Sequence, residues 1–195
     1  MKKKIIFATK NQNKMKEIRE ILADRDYEIL SMEEAGISLD IVEDGTTFEE
    51  NALIKAKAIR DLVKDAIVLA DDSGLAIDYL NGAPGIYSSR FEVEDTPYSV
   101  KNQILLDKLS GVPEEKRTAR FVCAMAAAFP DGTDQVVRGT IEGIIGYEPA
   151  GENGFGYDPI FYVPEFGCTT AQMPAEQKNS ISHRGKALRM IREYL

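Results

Sequence analysis

Arg117-Thr-Ala-Arg-Phe-Val-Cys-Ala-Met-Ala-Ala-Ala-Phe129, Pro130-Asp-Gly-Thr-Asp134 and Gln135-Val-Val-Arg-Gly-Thr-Ile-Glu-Gly-Ile-Ile145 are the consecutive segments that decide the fold. The outer two carry period-2 patterning and the middle one is turn chemistry, so together they predict a long β-hairpin. Its second strand holds Gly139, Gly143 and Gly146, which mark bulges or the close approach of another backbone.

Upstream, strand and helix signals alternate. Lys4 to Thr9 reads as a short buried strand, and Asn13 to Leu22 as a helix with Met15, Ile18, Ile21 and Leu22 on one face. Tyr27 to Ser31 reads as a strand. Thr47 followed by Glu50 is a capping box, and Ala52, Ala56, Ile59 and Val63 form the stripe of the helix behind it. Ile67 to Ala70 is an apolar strand ending at Asp71-Asp72-Ser73-Gly74, and Leu75 to Tyr79 is extended. Val100, Ile104, Leu105 and Lys108 mark a third helix, Gly151 to Asp158 a glycine-rich loop, and Ser182 to Leu195 a terminal helix. Helices interspersed with strands, plus an antiparallel hairpin, predict an α/β fold with a mixed sheet in a single domain spanning 1–195.

Composition narrows the function classes. Lys plus Arg number 24 against 32 Asp plus Glu, a net charge of −8. That balance disfavours broad nucleic-acid binding, which needs a positive field, but leaves room for a local phosphate pocket. No segment approaches the ~20 apolar residues of a membrane span. The apolar run behind Lys2-Lys3-Lys4 is too short for a signal peptide, so the expectation is a soluble cytoplasmic protein. Cys123 and Cys168 show no metal-ligand or redox spacing; they suit a reducing compartment, with one disulfide left open.

Four segments place polar residues at element boundaries, where ligands are usually held. In Thr9-Lys10-Asn11-Gln12-Asn13-Lys14, a helix N-terminus offers N–H groups to an anion, and Thr9, Asn11 and Lys14 can add donors. Taken alone, the segment reads as a helix capped by Asn11 or Asn13, and it is not a Walker P-loop. Asp71-Asp72 pairs two carboxylates, which is costly unless positive charge lies near. Adjacent strand residues point to opposite faces, so one of the two faces a given site. Glu43 or Asp44 can join Asp72 around Mg²⁺, which needs only one or two protein carboxylates. Glu50 goes mainly to capping. In the C-terminal quarter, Phe155 between glycines suits stacking on a base, Asp158 can accept from a base N–H, and Lys178, His183 and Arg184 can donate. Each of these also reads as ordinary core or surface.

Together, the motifs resemble the inosine triphosphate pyrophosphatase family. The resemblance rests on Thr9 to Lys14, on Glu43 through Asn51, and on Leu69-Ala-Asp71-Asp72-Ser73-Gly74. Gly82 to Arg90, Gly154-Phe155-Gly156-Tyr157-Asp158 and Ser182-His183-Arg184-Gly185 complete it, in order along nearly the whole chain. It implies a Mg²⁺-dependent hydrolase that splits noncanonical purine nucleoside triphosphates (ITP, dITP, XTP) to monophosphate and pyrophosphate. Asp72 is then the proton acceptor and a metal ligand, with Glu43 the second metal carboxylate. Thr9, Lys10, Asn11, Gln12, Asn13, Lys14, Ser73 and Lys55 hold the triphosphate. Phe155, Gly156, Tyr157, Asp158, Lys178, His183 and Arg184 hold the base. The resemblance also implies a homodimer and an elongated two-lobed fold, helices on both sides of the sheet and the substrate in a cleft. Lys10 departs from the family pattern, standing where a small residue is usual. The rival expectations are a pyrophosphatase for other modified or canonical-base nucleotides and a nucleotide-binding regulator without turnover.

Overall fold

The computed structural model describes residues 2–195. Strand β1 (Lys3–Phe7) pairs in parallel with β2 (Tyr27–Ser31) and with β3 (Ile67–Ile77), setting Ile5 beside both Ile29 and Ile67. Parallel neighbours need a crossover, and helix α1 (Gln12–Ile21) supplies the one between β1 and β2. The hairpin forms as expected from β4 (Thr118–Ala128) and β5 (Asp134–Ile145). Its turn is closed by Phe129 N–H to the Thr133 carbonyl at 2.9 Å, and the Asp131 carboxylate accepts from Thr133 N–H. Antiparallel β6 (Phe161–Val163) and β7 (Cys168–Thr169) finish a mixed seven-stranded sheet of order β2-β1-β3-β4-β5-β6-β7.

The chain forms two compact units. One comprises the chain up to Asp72 with Cys123–Gly139 and His183–Leu195; the other comprises Ser73–Val122 and Thr140–Ser182. The core of the first gathers Ile5, Phe7, Met15, Ile18, Leu69, Met125 and Leu188. Thus α1 buries the face its spacing predicts, packing with α5 (His183–Ile191). The core of the second gathers Leu75, Ile77, Leu105, Ile145, Tyr157 and Phe161. Gly139 and Gly143 meet the expectation of close backbone approach. A Cβ on Gly139 would lie 2.3 Å from the His183 carbonyl oxygen, and one on Gly143 2.5 Å from that of Tyr162. Gly146 has only ordinary contacts and needs no such explanation.

Two expectations are corrected. The strand does not stop at Ala70: β3 runs unbroken from Ile67 to Ile77, with Asp71 and Asp72 inside it, because both carboxylates find partners there. Helix α2 (Phe48–Arg60) is capped by Thr47, which accepts from Glu50 N–H at 3.1 Å. The Glu50 carboxylate, however, returns to Thr46 rather than Thr47, at 2.6 Å from its N–H, so the box closes one residue upstream. Helix α3 (Tyr98–Lys108) turns Lys101, Asn102, Leu105 and Leu106 inward and leaves Val100 exposed. Lys101 is held there by donating through Nζ to the Ser89 carbonyl at 2.8 Å. The short helix α4 (Ala175–Ile181), along with β6 and β7, lacked enough length or apolar pattern to be read.

Candidate active site

The first cluster grows from the pleat of β3. Ile67, Leu69 and Asp71 share one face, and Val68, Ala70 and Asp72 the other. On the first face, Asp71 Oδ1 accepts from Lys14 Nζ at 3.1 Å, and Oδ2 lies 3.4 Å from Arg184 Nη2. Arg184 also donates through Nη1 to Glu17. Lys14 and Glu17 sit three residues apart on α1 and so project from the same face. The result is a buried chain of alternating charge, Lys14–Asp71–Arg184–Glu17. Burial disfavours the Arg184 guanidinium, but Asp71 and Glu17 hold its pKa above the ordinary arginine value.

On the second face, Asp72 Oδ2 accepts from Asn51 Nδ2 at 3.1 Å. The same Asn51 accepts from Gly45 N–H at 2.9 Å, tying the start of α2 to the carboxylate. Lys55, one turn further along α2, pairs with Glu43 at 2.6 Å. Burial works against the Lys55 ammonium, yet Asp71, Glu43 and Asp72 raise its pKa. Asp72 is less well compensated. Burial pushes its carboxyl up to about 6; Lys55 and Asn51 oppose this, while Glu43 and Asp71 add to it. Additional positive charge beside Asp72 would therefore be favourable. Glu43 and Asp72 offer the hard oxygen ligands that Mg²⁺ takes. Among the described residues no group of three or more His, Cys, Asp and Glu is placed to hold a metal ion.

At the head of α1, Asn11 is the cap. Its Oδ1 accepts from Asn13 N–H at 3.0 Å and Lys14 N–H at 3.2 Å, while Thr9 Oγ1 accepts from Asn11 N–H at 3.0 Å. The capping and anion-binding readings therefore concern one feature, since the cap fixes the turn that presents Thr9, Gln12 and Asn13. Lys10 points to solvent and pairs with Asp40 at 2.8 Å, so its side chain brings no charge toward Asp71. His183 is buried at the start of α5, and Ser73 follows Asp72 in β3.

The second cluster is built around Asp158. Its Oδ2 accepts from Lys178 Nζ at 2.6 Å and Phe155 N–H at 2.9 Å, and its Oδ1 from Thr170 Oγ1 at 2.7 Å. Lys178 Nζ also sits 5.0 Å from the Phe155 ring centroid. Gly154 makes this possible: it has φ +67°, and a Cβ there would lie 2.1 Å from Asp158 Oδ2. Phe155, Asp158 and Lys178 thus form one constellation, whereas Arg184 and His183, expected at the base as well, belong to the first unit, where Arg184 pairs with Asp71 and Glu17. Asn51, Glu17 and Thr170 were not singled out. Glu17 carried a signal in its three-residue spacing from Lys14, and Asn51 in its place beside the acidic motif. Thr170 carried none.

Comparison with known proteins shows the family. The model of the Ham1 family matches residues 5–194. The dITP/XTP pyrophosphatase of Clostridium perfringens is 48% identical, covering 99% of this chain and 97% of its own. That of Bacillus subtilis is 46% identical, covering 99% and 97%. Among solved structures, the Ham1 protein of Staphylococcus aureus superposes with a TM-score of 0.87 at 41% identity, covering 98% of this chain and 97% of its own. The nucleoside-triphosphatase / dITP/XTP pyrophosphatase of Mycobacterium abscessus gives 0.76 at 39% identity, covering 96% and 98%. On this evidence of sequence and fold, the chain belongs to the Ham1 family.

Proposed function

We propose that this chain hydrolyses noncanonical purine nucleoside triphosphates, the class of ITP, dITP and XTP, to the monophosphate and pyrophosphate. The observation that carries the reading is the poise of Asp72. A buried carboxyl raised to about 6 and oriented by Asn51 is a proton acceptor suited to work near neutral pH. Relatives spanning nearly the whole chain bear the name dITP/XTP pyrophosphatase.

In the proposed reaction, a water oxygen attacks the α-phosphorus in line. The bond from that phosphorus to the bridging oxygen breaks, pyrophosphate leaves, and Asp72 takes the water proton. Phosphoryl transfer of this kind depends mainly on positioning and charge neutralisation. Lys14 neutralises phosphate charge from a place fixed by Asp71, while the capped start of α1 offers N–H groups. Glu43 and Asp72 would hold Mg²⁺, which supplies charge neutralisation and a more acidic bound water. Lys55 keeps Glu43 in place. At the Gly154–Asp158 loop, the Phe155 ring offers a stacking surface, and Lys178 a donor to a 6-keto oxygen. Adenine carries an amino group at that position, so a donor there meets a donor.

A cytoplasmic homodimer belongs to the same proposal. Tyr79, Tyr87, Val93 and Tyr147 are exposed and would be available to a second copy. Neither cysteine is in a disulfide, and among the described residues no helix is long and apolar enough to cross a membrane. The test is pyrophosphate release from ITP, XTP, GTP, ATP and dTTP, with Mg²⁺ and with EDTA. Mg²⁺-dependent release from ITP and XTP in preference to ATP is expected. Release mainly from dTTP would overturn the base assignment, and release from none would overturn the enzyme.

A further inference from the structure

The segment Gly82 to Arg90 has no assigned part in the reaction, yet its hydrogen bonds lead to the Gly154–Asp158 loop. Ser88 Oγ accepts from Leu75 N–H at 2.9 Å and donates to the Gly85 carbonyl at 2.6 Å, fastening the 3-10 turn Gly85–Arg90 to β3. The Ser88 carbonyl accepts from the Tyr157 hydroxyl, and the next carbonyl, that of Ser89, from Lys101 Nζ. Asn102, beside Lys101, donates through Nδ2 to the Gly156 carbonyl at 3.2 Å. Tyr98 completes the arrangement. Its ring meets Tyr157 edge-on with centroids 5.2 Å apart, and it lies 3.7 Å from where a Gly156 Cβ would sit.

Tyr98, Lys101 and Asn102 are spaced i, i+3 and i+4, so they form one face of the first turns of α3. Lys101 and Asn102 are both buried. This face holds Gly156 directly and holds Tyr157 through Ser88 and Ser89. Gly156 has φ +65°, a conformation that needs external support to stay unique.

We infer that Asn102, with Lys101, is a positioning residue for base recognition: the α3 face fixes the loop that presents Phe155 and Asp158. This rests on the reading of that loop as the base site. Neither residue touches the reacting phosphate, so their loss acts on base capture and preference more than on the chemical step. Displacing a positioning group by about 1 Å can cost up to ~10²-fold, and loss of a single hydrogen bond to the loop should cost about tenfold.

The test compares Asn102→Ala, Lys101→Met and Phe155→Ala in the full-length protein, each shown to be folded by circular dichroism and thermal melting. For Asn102→Ala, KM for ITP should rise about tenfold, with a smaller change in kcat. Phe155→Ala, which removes the stacking surface itself, should raise KM for ITP at least as much. Lys101→Met keeps the aliphatic stem, loses the bond to Ser89, and should show a smaller shift of the same kind; it decides the matter if Asn102→Ala does not fold. Wild-type KM in folded α3 variants, with a raised KM in Phe155→Ala, would overturn the positioning role alone. A wild-type KM in Phe155→Ala would instead overturn the base site, and the inference with it.

Discussion

The surroundings of Asp72 and of Asp158 treat a buried carboxylate in opposite ways. Asp158 is surrounded by donors: an ammonium, a hydroxyl and a backbone N–H all converge on it. Asp72 accepts from the Asn51 amide, and burial, with two other carboxylates nearby, pushes it up to about 6. A satisfied charge makes a rigid loop, which suits holding a flat base in one orientation. An under-compensated charge is poised to gain a proton or a cation, which suits chemistry. The same residue type thus serves as anchor in one place and as reactant in the other, and its neighbours decide which.

The sharpest way to break this comparison is to remove the partner of the anchor. Lys178→Met leaves Asp158 buried without its ammonium, a change that typically costs about 3–5 kcal/mol. Thermal or urea unfolding should show a loss of that order, and pairing it with Asp158→Asn should recover part of it. An unchanged melt would mean the pair is not a structural anchor.

Asp72→Asn should do the reverse: lower activity and raise stability. Turnover should fall at least ~10²-fold, the usual worth of a positioned base. The carboxyl has a folded-state value raised from 3.8 to about 6, so the folded protein binds the proton more tightly than the unfolded chain. Its contribution to stability is therefore full below pH 4 and is lost as pH rises through 4 to 6. At pH 7.5, without metal, Asp72→Asn should melt above wild type by an amount worth at most about 3 kcal/mol. The gap should vanish near pH 4 and narrow when Mg²⁺ is added. A variant that melts lower than wild type at pH 7.5 would show that Asp72 is stabilising, contrary to this account.

The smallest effect belongs to Lys10. Its exposed pair with Asp40 is worth less than ~1 kcal/mol, and its side chain brings no charge to Asp71. Lys10→Ala should leave the melting temperature nearly unchanged and KM for ITP within about twofold. A tenfold rise in KM would place that ammonium among the phosphate ligands.

What was legible in the sequence follows from the range of the forces involved. Strand β2 was read to the residue, and the hairpin nearly so, because alternation and turn chemistry are local. The continuity of β3 through Asp71 was not legible, since that carboxylate is stabilised by Lys14 and Arg184, 57 and 113 positions away. The burial of Lys101 on α3 was equally out of reach, because its ammonium is held by the Ser89 carbonyl, 12 positions away. In the site, the residue types were visible and their partners were not. Asp158 was identified as a group that can accept from a base, while the Thr170 hydroxyl that occupies it, 12 positions away, lies beyond any spacing rule.

The most direct test of the central claim is hydrolysis of ITP in ¹⁸O-labelled water, with the products weighed by mass spectrometry. Attack at the α-phosphorus predicts one labelled oxygen in the monophosphate and none in the pyrophosphate. Label in the pyrophosphate would place the attack at the β-phosphorus, and label in released inorganic phosphate would show a different reaction; either would contradict the mechanism built on Asp72.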